Sequence, residues 1–115
     1  MKFTDTLKKN HEFRRLYAKG HSAVTPYLVV YARKTKRKTN RIGFTVSTKL
    51  GKAVTRNRVR RRLREIYRLH EGEFLPGAEI VIVARVRAVE AGYRQLDRAL
   101  LSACRKLKLL REDAP

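Results

Sequence analysis

Apolar residues recur along this chain in two rhythms, and the switches between them mark out its elements. Phe13, Leu16 and Tyr17 fall at i, i+3 and i+4, one side of a helix. Asn10 suits the cap of that helix and Gly20 its end, so the pattern predicts a short helix over 11–19. Thr25-Pro26 breaks the chain, and 27–33 is β-branched and aromatic, as a strand is. Over 41–47, Ile42, Phe44 and Val46 alternate with Gly43, Thr45 and Ser47, the pattern of a half-buried strand. The polar, basic turn 34–40 between these two strands predicts an antiparallel hairpin. A long helix follows over 53–70, with Val59, Leu63, Ile66 and Tyr67 as its apolar stripe and Gly72 and Pro76-Gly77 beyond its end. The run 78–84 is nearly all apolar and is expected to be covered on both faces. A last helix over 91–109 is expected to turn Tyr93, Leu96, Leu100, Ala103 and Leu107 inward. The order is αββαβα, or αβββαβα if 23–25 adds a short strand. Either is an α+β sandwich, a sheet with helices packed on it, here in one domain over 1–115. The helix 53–70 joins two strands that are candidates for parallel neighbours.

Charge changes the picture more than any apolar pattern. Twenty-nine Lys and Arg stand against ten Asp and Glu, a net charge of +19. Self-repulsion on that scale works against a compact fold, and a polyanionic partner relieves it. Solubility alone asks for a net charge of only about 2–8. The 43% of hydrophobic residues is too high for a disordered basic tail. Cys104 is the single cysteine, which excludes an intrachain disulfide and a thiolate metal cage; among Leu100, Leu101, Ala103 and Leu107 it reads as a core residue. No signal peptide or membrane-spanning run is legible, and a cytoplasmic location is expected.

The cations are concentrated in and before the helix 53–70. Arg56, Arg60, Arg64 and Arg68 recur every fourth residue, Arg58, Arg61 and Arg62 flank them, and Lys49 and Lys52 precede the positive end of the helix dipole. Like charges in such a row repel, and Glu65 alone does not neutralise them. Phosphates beside the row would. Guanidinium suits that partner better than ammonium does, since it forks to phosphate and stacks on bases. Asn57 adds a donor and acceptor able to reach a base edge or a 2′-hydroxyl.

Gly51-x-Ala53-Val54-x-Arg56-Asn57-Arg58, followed by a basic amphipathic helix, resembles the RNR motif of the bacterial ribonuclease P protein subunit family. Residues 7–13 with Tyr17 and Gly20 resemble that family's first helix, 28–31 and 41–49 its first two long strands, and 79–85 a strand ending in Ala-Arg. The likeness covers nearly the whole chain in order. Thr48, where a basic residue is common, and the triple arginine 60–62 depart from it. The resemblance implies a fold like the second domain of ribosomal small-subunit protein five, with a left-handed strand–helix–strand crossover against the usual preference. It implies that an RNA subunit and its Mg²⁺ hydrolyse the phosphodiester that joins the 5′ leader to precursor tRNA. The protein would bind that ribonuclease P RNA, contact the leader and lower the Mg²⁺ requirement, with no catalytic residue, cofactor, membrane or obligate protein partner of its own. By position, Lys49, Arg56, Asn57, Arg58, Arg61, Arg62 and Arg64 would lie near catalytic RNA and the cleavage site. Phe13, Tyr17 and Tyr31 would line the cleft for the single-stranded leader; without the resemblance, core packing is the simpler reading of Phe13 and Tyr17.

A self-sufficient nuclease is not legible. His11, His21 and His70 have no metal-ligand spacing and read as surface residues, and the acids Asp5, Glu12, Glu65, Glu71, Glu73, Glu79, Glu90, Asp97, Glu112 and Asp113 are scattered. Two competitors share the charge: a ribosomal protein, and an architectural DNA-binding protein with the basic helix in a major groove. The second lacks a helix-turn-helix spacing.

Overall fold

The computed structural model describes residues 3–111. Within them, strands β1 (Thr4–Thr6), β2 (His21–Val24), β3 (Leu28–Lys34), β4 (Asn40–Thr45) and β5 (Ala78–Ala84) alternate with helices α1 (Asn10–Lys19), α2 (Ala53–His70) and α3 (Tyr93–Lys106). α1 follows β1, α2 joins β4 to β5, and α3 closes the chain. The strands form one sheet in the order β1-β4-β5-β3-β2. Glu112 and Asp113 lie outside the described residues.

The sheet is organised by β5, the strand that can be buried on both faces. Ile80 and Ile82 point into the larger core with α2 and α3, while Val81 packs with Leu7 and Leu16 beneath α1. A strand of this kind is most stable in the middle of a sheet. The hairpin expected between 27–33 and 41–47 is therefore absent. β3 pairs antiparallel with β5, with Val30 opposite Ile82, and β4 pairs parallel with β5, with Ile42 opposite Ile80. The connection 34–40 straddles the end of β5 instead of turning tightly. The Thr35 amide donates to the Gly77 carbonyl at 2.7 Å. Gly77 has φ +91°, and a Cβ there would stand 2.8 Å from the Arg37 carbonyl oxygen, so the crossing needs glycine.

The strand considered at 23–25 is β2, paired antiparallel with β3, and a further strand precedes α1. β1 is short and polar and is held from a distance. It pairs parallel with β4; the Thr4 hydroxyl donates to Glu71 Oε2 at 2.6 Å and accepts from the Tyr67 hydroxyl at 2.7 Å. Asn40, read as the end of a turn, opens β4, where its buried side chain accepts from the Ala78 amide at 2.9 Å. The cap of α1 is also displaced by one residue. Lys9 holds the N-cap position, and its backbone amide donates to Glu12 at 3.2 Å, so Asn10 caps nothing.

α2 spans the expected residues with the expected stripe, Val59, Leu63, Ile66 and Tyr67, buried. α3 is shorter than expected. Tyr93 is its first residue and 42% exposed, not inward; Leu96, Leu100, Ala103 and Cys104 carry the burial. Burial pushes the Cys104 thiol up to about 12, as fits a core position. The helix ends at Lys106 because Lys108 turns into the left-handed region, and the chain then returns to pair Leu110 with Phe74.

His70 ties the last turn of α2 to α3. Its Nδ1 meets the Glu73 carboxylate and its Nε2 lies 2.7 Å from Asp97 Oδ1, so it is a half-buried clamp and not a surface residue. Partial burial alone would lower the imidazole pKa, but hydrogen bonds and charge from Glu73 and Asp97 outweigh it, and the pKa is raised above the ordinary value of 6.5. A pKa higher in the folded state contributes stability in full below the unfolded pKa, and that contribution is lost as pH rises through the folded value. Urea unfolding is thus expected to show about 1 kcal/mol less stability on the alkaline side, the scale of a cation at a helix C-terminus. His70→Ala should remove that pH dependence; a variant that keeps it would assign the effect elsewhere.

Candidate nucleic-acid interface

The loop before α2 is built to start a helix abruptly. The Ser47 hydroxyl accepts from the Lys49 amide at 3.3 Å, the turn Thr48–Leu50 buries Leu50, and Gly51 takes φ +126°, open to glycine and rarely to other residues. α2 then begins with no acidic residue in its first turn. The positive end of its dipole lies among Lys49, Lys52, Arg56 and Arg58, with no acidic residue in that turn to offset it, which favours a phosphate there.

The arginines of α2 do not form a single row. At about 100° per residue, positions 56, 60, 64 and 68 drift round the helix, and the buried stripe divides the rest into two flanks. Arg60 lies on the α1 side and donates to Asn57 Oδ1 at 3.0 Å. Arg62 lies on the other side and donates to the Ala91 carbonyl before α3 at 3.3 Å. Arg56 bends back onto the Gly51 carbonyl at 3.1 Å, and Arg68 pairs with Glu65. That leaves Arg58, Arg61 and Arg64, all exposed and, among the described residues, without a hydrogen bond or ion pair. They are the most available of the arginines of α2, beside the exposed Lys49 and Lys52 before it.

The three predicted aromatics come together on the sheet face beneath α1. Phe13 and Tyr31 pack at the rim of the small core formed by Leu7, Leu16 and Val81. Tyr17 is 40% exposed; its ring meets that of Tyr31 edge-on with centroids 5.0 Å apart, and its hydroxyl lies 2.8 Å from that of Thr45. Phe13 reaches the sheet because Gly43 has no side chain: a Cβ at Gly43 would stand 2.6 Å from the Phe13 ring. A groove of about 680 Å³ runs past this cluster and is lined by Asn10, Phe13, Arg14, Tyr17, Phe44, Thr45, Val46 and Arg60. It opens where β1 stops: the β1 pairing ends at Ile42, and among the described residues the outer edge of β4 beyond it carries no strand. The groove therefore joins α1 aromatics to Arg60 of α2. Arg14, Phe44 and Val46 were not among the residues expected there. The alternation along 41–47 assigns Phe44 and Val46 to the core face, and only the missing neighbour strand brings them to the rim.

A buried ion cluster sets α1 on the sheet. Glu79, 2% exposed, takes Arg33 from β3 at 3.1 Å, Arg41 from β4 at 3.4 Å and Arg15 from α1 at 3.6 Å. Arg41 also pairs with Glu12 of α1. Burial alone would raise the Glu12 pKa, but Arg41 and backbone amides outweigh it and hold the carboxyl below the usual range. These acids are structural. Among the described residues no group of three or more His, Cys, Asp or Glu side chains is arranged to hold a metal ion.

A sequence profile of the family described as Ribonuclease P matches residues 1–108. The chain belongs to the ribonuclease P protein family. Similar curated proteins, each called a ribonuclease P protein component, include that of Natranaerobius thermophilus, 42% identical over 108 residues and 94% of either chain, and that of Alkaliphilus metalliredigens, 43% identical over 110 residues, 96% of this chain and 99% of the other. The solved RNase P protein of Staphylococcus aureus superposes with a TM-score of 0.84 at 34% identity, over 92% of this chain and 97% of that one. The RNase P protein of Thermotoga maritima gives 0.78 at 29% identity, over 85% and 93%. The ribonuclease P protein fold thus extends over both α2 and the aromatic groove, and the ribosomal and DNA-binding readings fall away.

Proposed function

We propose that this protein, as the accessory subunit of an RNA-based endoribonuclease, holds the catalytic RNA on α2 and the 5′ leader of precursor tRNA in the groove beside α1. The observation that carries this reading is that Arg60 and the aromatics Phe13 and Tyr17 line one groove. RNA held on the exposed Arg58, Arg61 and Arg64, with Lys49 and Lys52 at the helix start, lies directly next to a channel suited to a single strand. Aromatic rings accept any base by stacking, worth about 1–3 kcal/mol per base, and Arg14 and Arg60 supply the cations that follow a backbone. The chain would orient the substrate and screen phosphate repulsion. The hydrolysis, and the Mg²⁺ it requires, belong to the RNA subunit.

The test is cleavage of a 5′-extended precursor tRNA by a bacterial ribonuclease P RNA at low Mg²⁺, with and without the protein. Correctly placed cleavage that needs both components supports the reading; no stimulation beside an active family member would sink it. In the same assay Phe13→Ala is expected to lower affinity for leader-bearing over leaderless tRNA by about 5- to 150-fold, the loss of one stacked base. An unchanged preference would remove Phe13 from the leader path.

A further inference from the structure

A second groove, of about 720 Å³, lies at the far edge of the sheet from α2. It is lined by Lys19 at the end of α1, His21 and Ser22 of β2, Arg33 and Lys34 at the end of β3, and residues 106–109 at and after the end of α3. Three elements therefore bring five Lys and Arg side chains to one concavity, with no acidic residue in its lining among the described residues. Lys19, Lys34, Lys106 and Lys108 are exposed and, among the described residues, have no carboxylate within ion-pair distance; Arg33 is shared with Glu79. The C-terminal ends of α1 and α3 point at this region. Each contributes only about half a negative charge. Together they offset about one of the four unpaired lysines.

The groove neighbours the aromatic cluster through β2 and β3. Ser22, on its wall, is the register partner of Tyr31, so their side chains stand together on the face that α1 partly covers. Arg33 lies two residues along β3 from Tyr31, on that same face. A strand stacked on Phe13, Tyr17 and Tyr31 that leaves Arg60 behind runs into these cations.

Lys108 shows that the cation is not placed for local reasons. It has φ +57°, the position after a helix that glycine usually takes, and it closes the helix by donating to the Arg105 carbonyl at 3.0 Å. A lysine there works against the backbone preference.

We propose that this groove is a second phosphate-binding site, which grips the backbone of the leader upstream of the aromatic cleft. The proposal rests on the cleft holding the leader with its cleavage-site end towards Arg60. Its consequence is a dependence on leader length that belongs to the protein and not to base pairing.

The experiment uses the reconstituted holoenzyme and precursor tRNAs whose leaders are lengthened one nucleotide at a time. The variant Lys106→Gln with Lys108→Gly removes two cations, and glycine is at home at position 108, so the fold should hold; thermal melting checks this. In the wild type, affinity is expected to rise when the leader outgrows the cleft. In the variant the gain at long leaders should shrink about tenfold, and the slope of log affinity against log salt should fall by about 1.4, two single-strand contacts at about 0.7 each. Short-leader and leaderless tRNA should be unaffected. A wild-type protein without the length gain, a variant that keeps it, or a variant that weakens leaderless tRNA equally would each overturn the proposal. Phe13→Ala separates the two readings. If it leaves leader preference intact while the lysine variant abolishes the length gain, the cleft assignment fails and the groove stands; the reverse result fails the groove alone.

Discussion

Replacing Arg58, Arg61 and Arg64 together with alanine is expected to weaken binding of the catalytic RNA about 100-fold near 0.1 M salt. Three lost phosphate contacts should also flatten the slope of log affinity against log salt by about 2–3. These three are singled out because their guanidinium groups are exposed and unpaired among the described residues, whereas Arg56, Arg62 and Arg68 already donate within the protein. Stability should move the other way. The three sit at i, i+3 and i+6 on α2, where like-charge neighbours cost about 0.2–0.5 kcal/mol each and alanine is the better helix former. A variant that melts no lower than wild type yet binds far more weakly separates contact from folding. A wild-type salt slope in that variant would show that these side chains meet no phosphate. Lysine at the three positions should restore the slope but only part of the affinity, because it keeps the charge and loses the fork.

Glu79→Ala is expected to cost about 3 kcal/mol of stability, a large part of the roughly 5–15 kcal/mol that holds a typical domain together. Three guanidinium groups converge on this one buried carboxylate, and its removal leaves them facing one another. The loss is placed at the low end of the range for broken buried pairs because Arg33 and Arg15 are partly open to water and can turn outward. Urea unfolding should show a lower midpoint at unchanged slope. A loss under about 1 kcal/mol would mean that all three arginines find water without strain. Glu79→Gln keeps the shape and some hydrogen bonds and should fall between. The same change loosens α1 from the sheet through Arg15, and so should also blunt leader preference, since Phe13 and Tyr17 ride on that helix.

The elements that were legible in advance are those whose burial is periodic. α2 announces itself by Val59, Leu63, Ile66 and Tyr67 and by Gly72 and Pro76-Gly77 after it, and both its ends fall where expected. β5 announces itself as a strand buried on both faces. The motif and its arginines were legible as well, because composition and spacing sit within one helix. The parallel pairing of β4 with β5, the strands that α2 joins, was legible too; what failed was the hairpin pairing of β3 with β4. Two strands separated by a short basic turn look like a hairpin, and nothing local says that a strand some forty residues later will enter between them. β1 was missed for a related reason: three residues, Thr4 to Thr6, carry no readable alternation, and their anchors are Tyr67 and Glu71 on α2. Glu79 was hidden by its neighbours, a single charge in an apolar run whose three partners lie on three other elements.

By itself, then, the sequence determined which of the longer segments are helix or strand, that the partner is a polyanion, and which helix concentrates the cations. These properties are local, since periodicity, caps and charge density act within a turn or two of chain. Only the tertiary structure decided the strand order, the split of the arginines into bound and free, and the groove that joins Phe13 and Tyr17 to Arg60. Each depends on side chains distant in sequence burying one another's surface or charge, and the free energy of such a contact belongs to the pair and is written in neither residue alone.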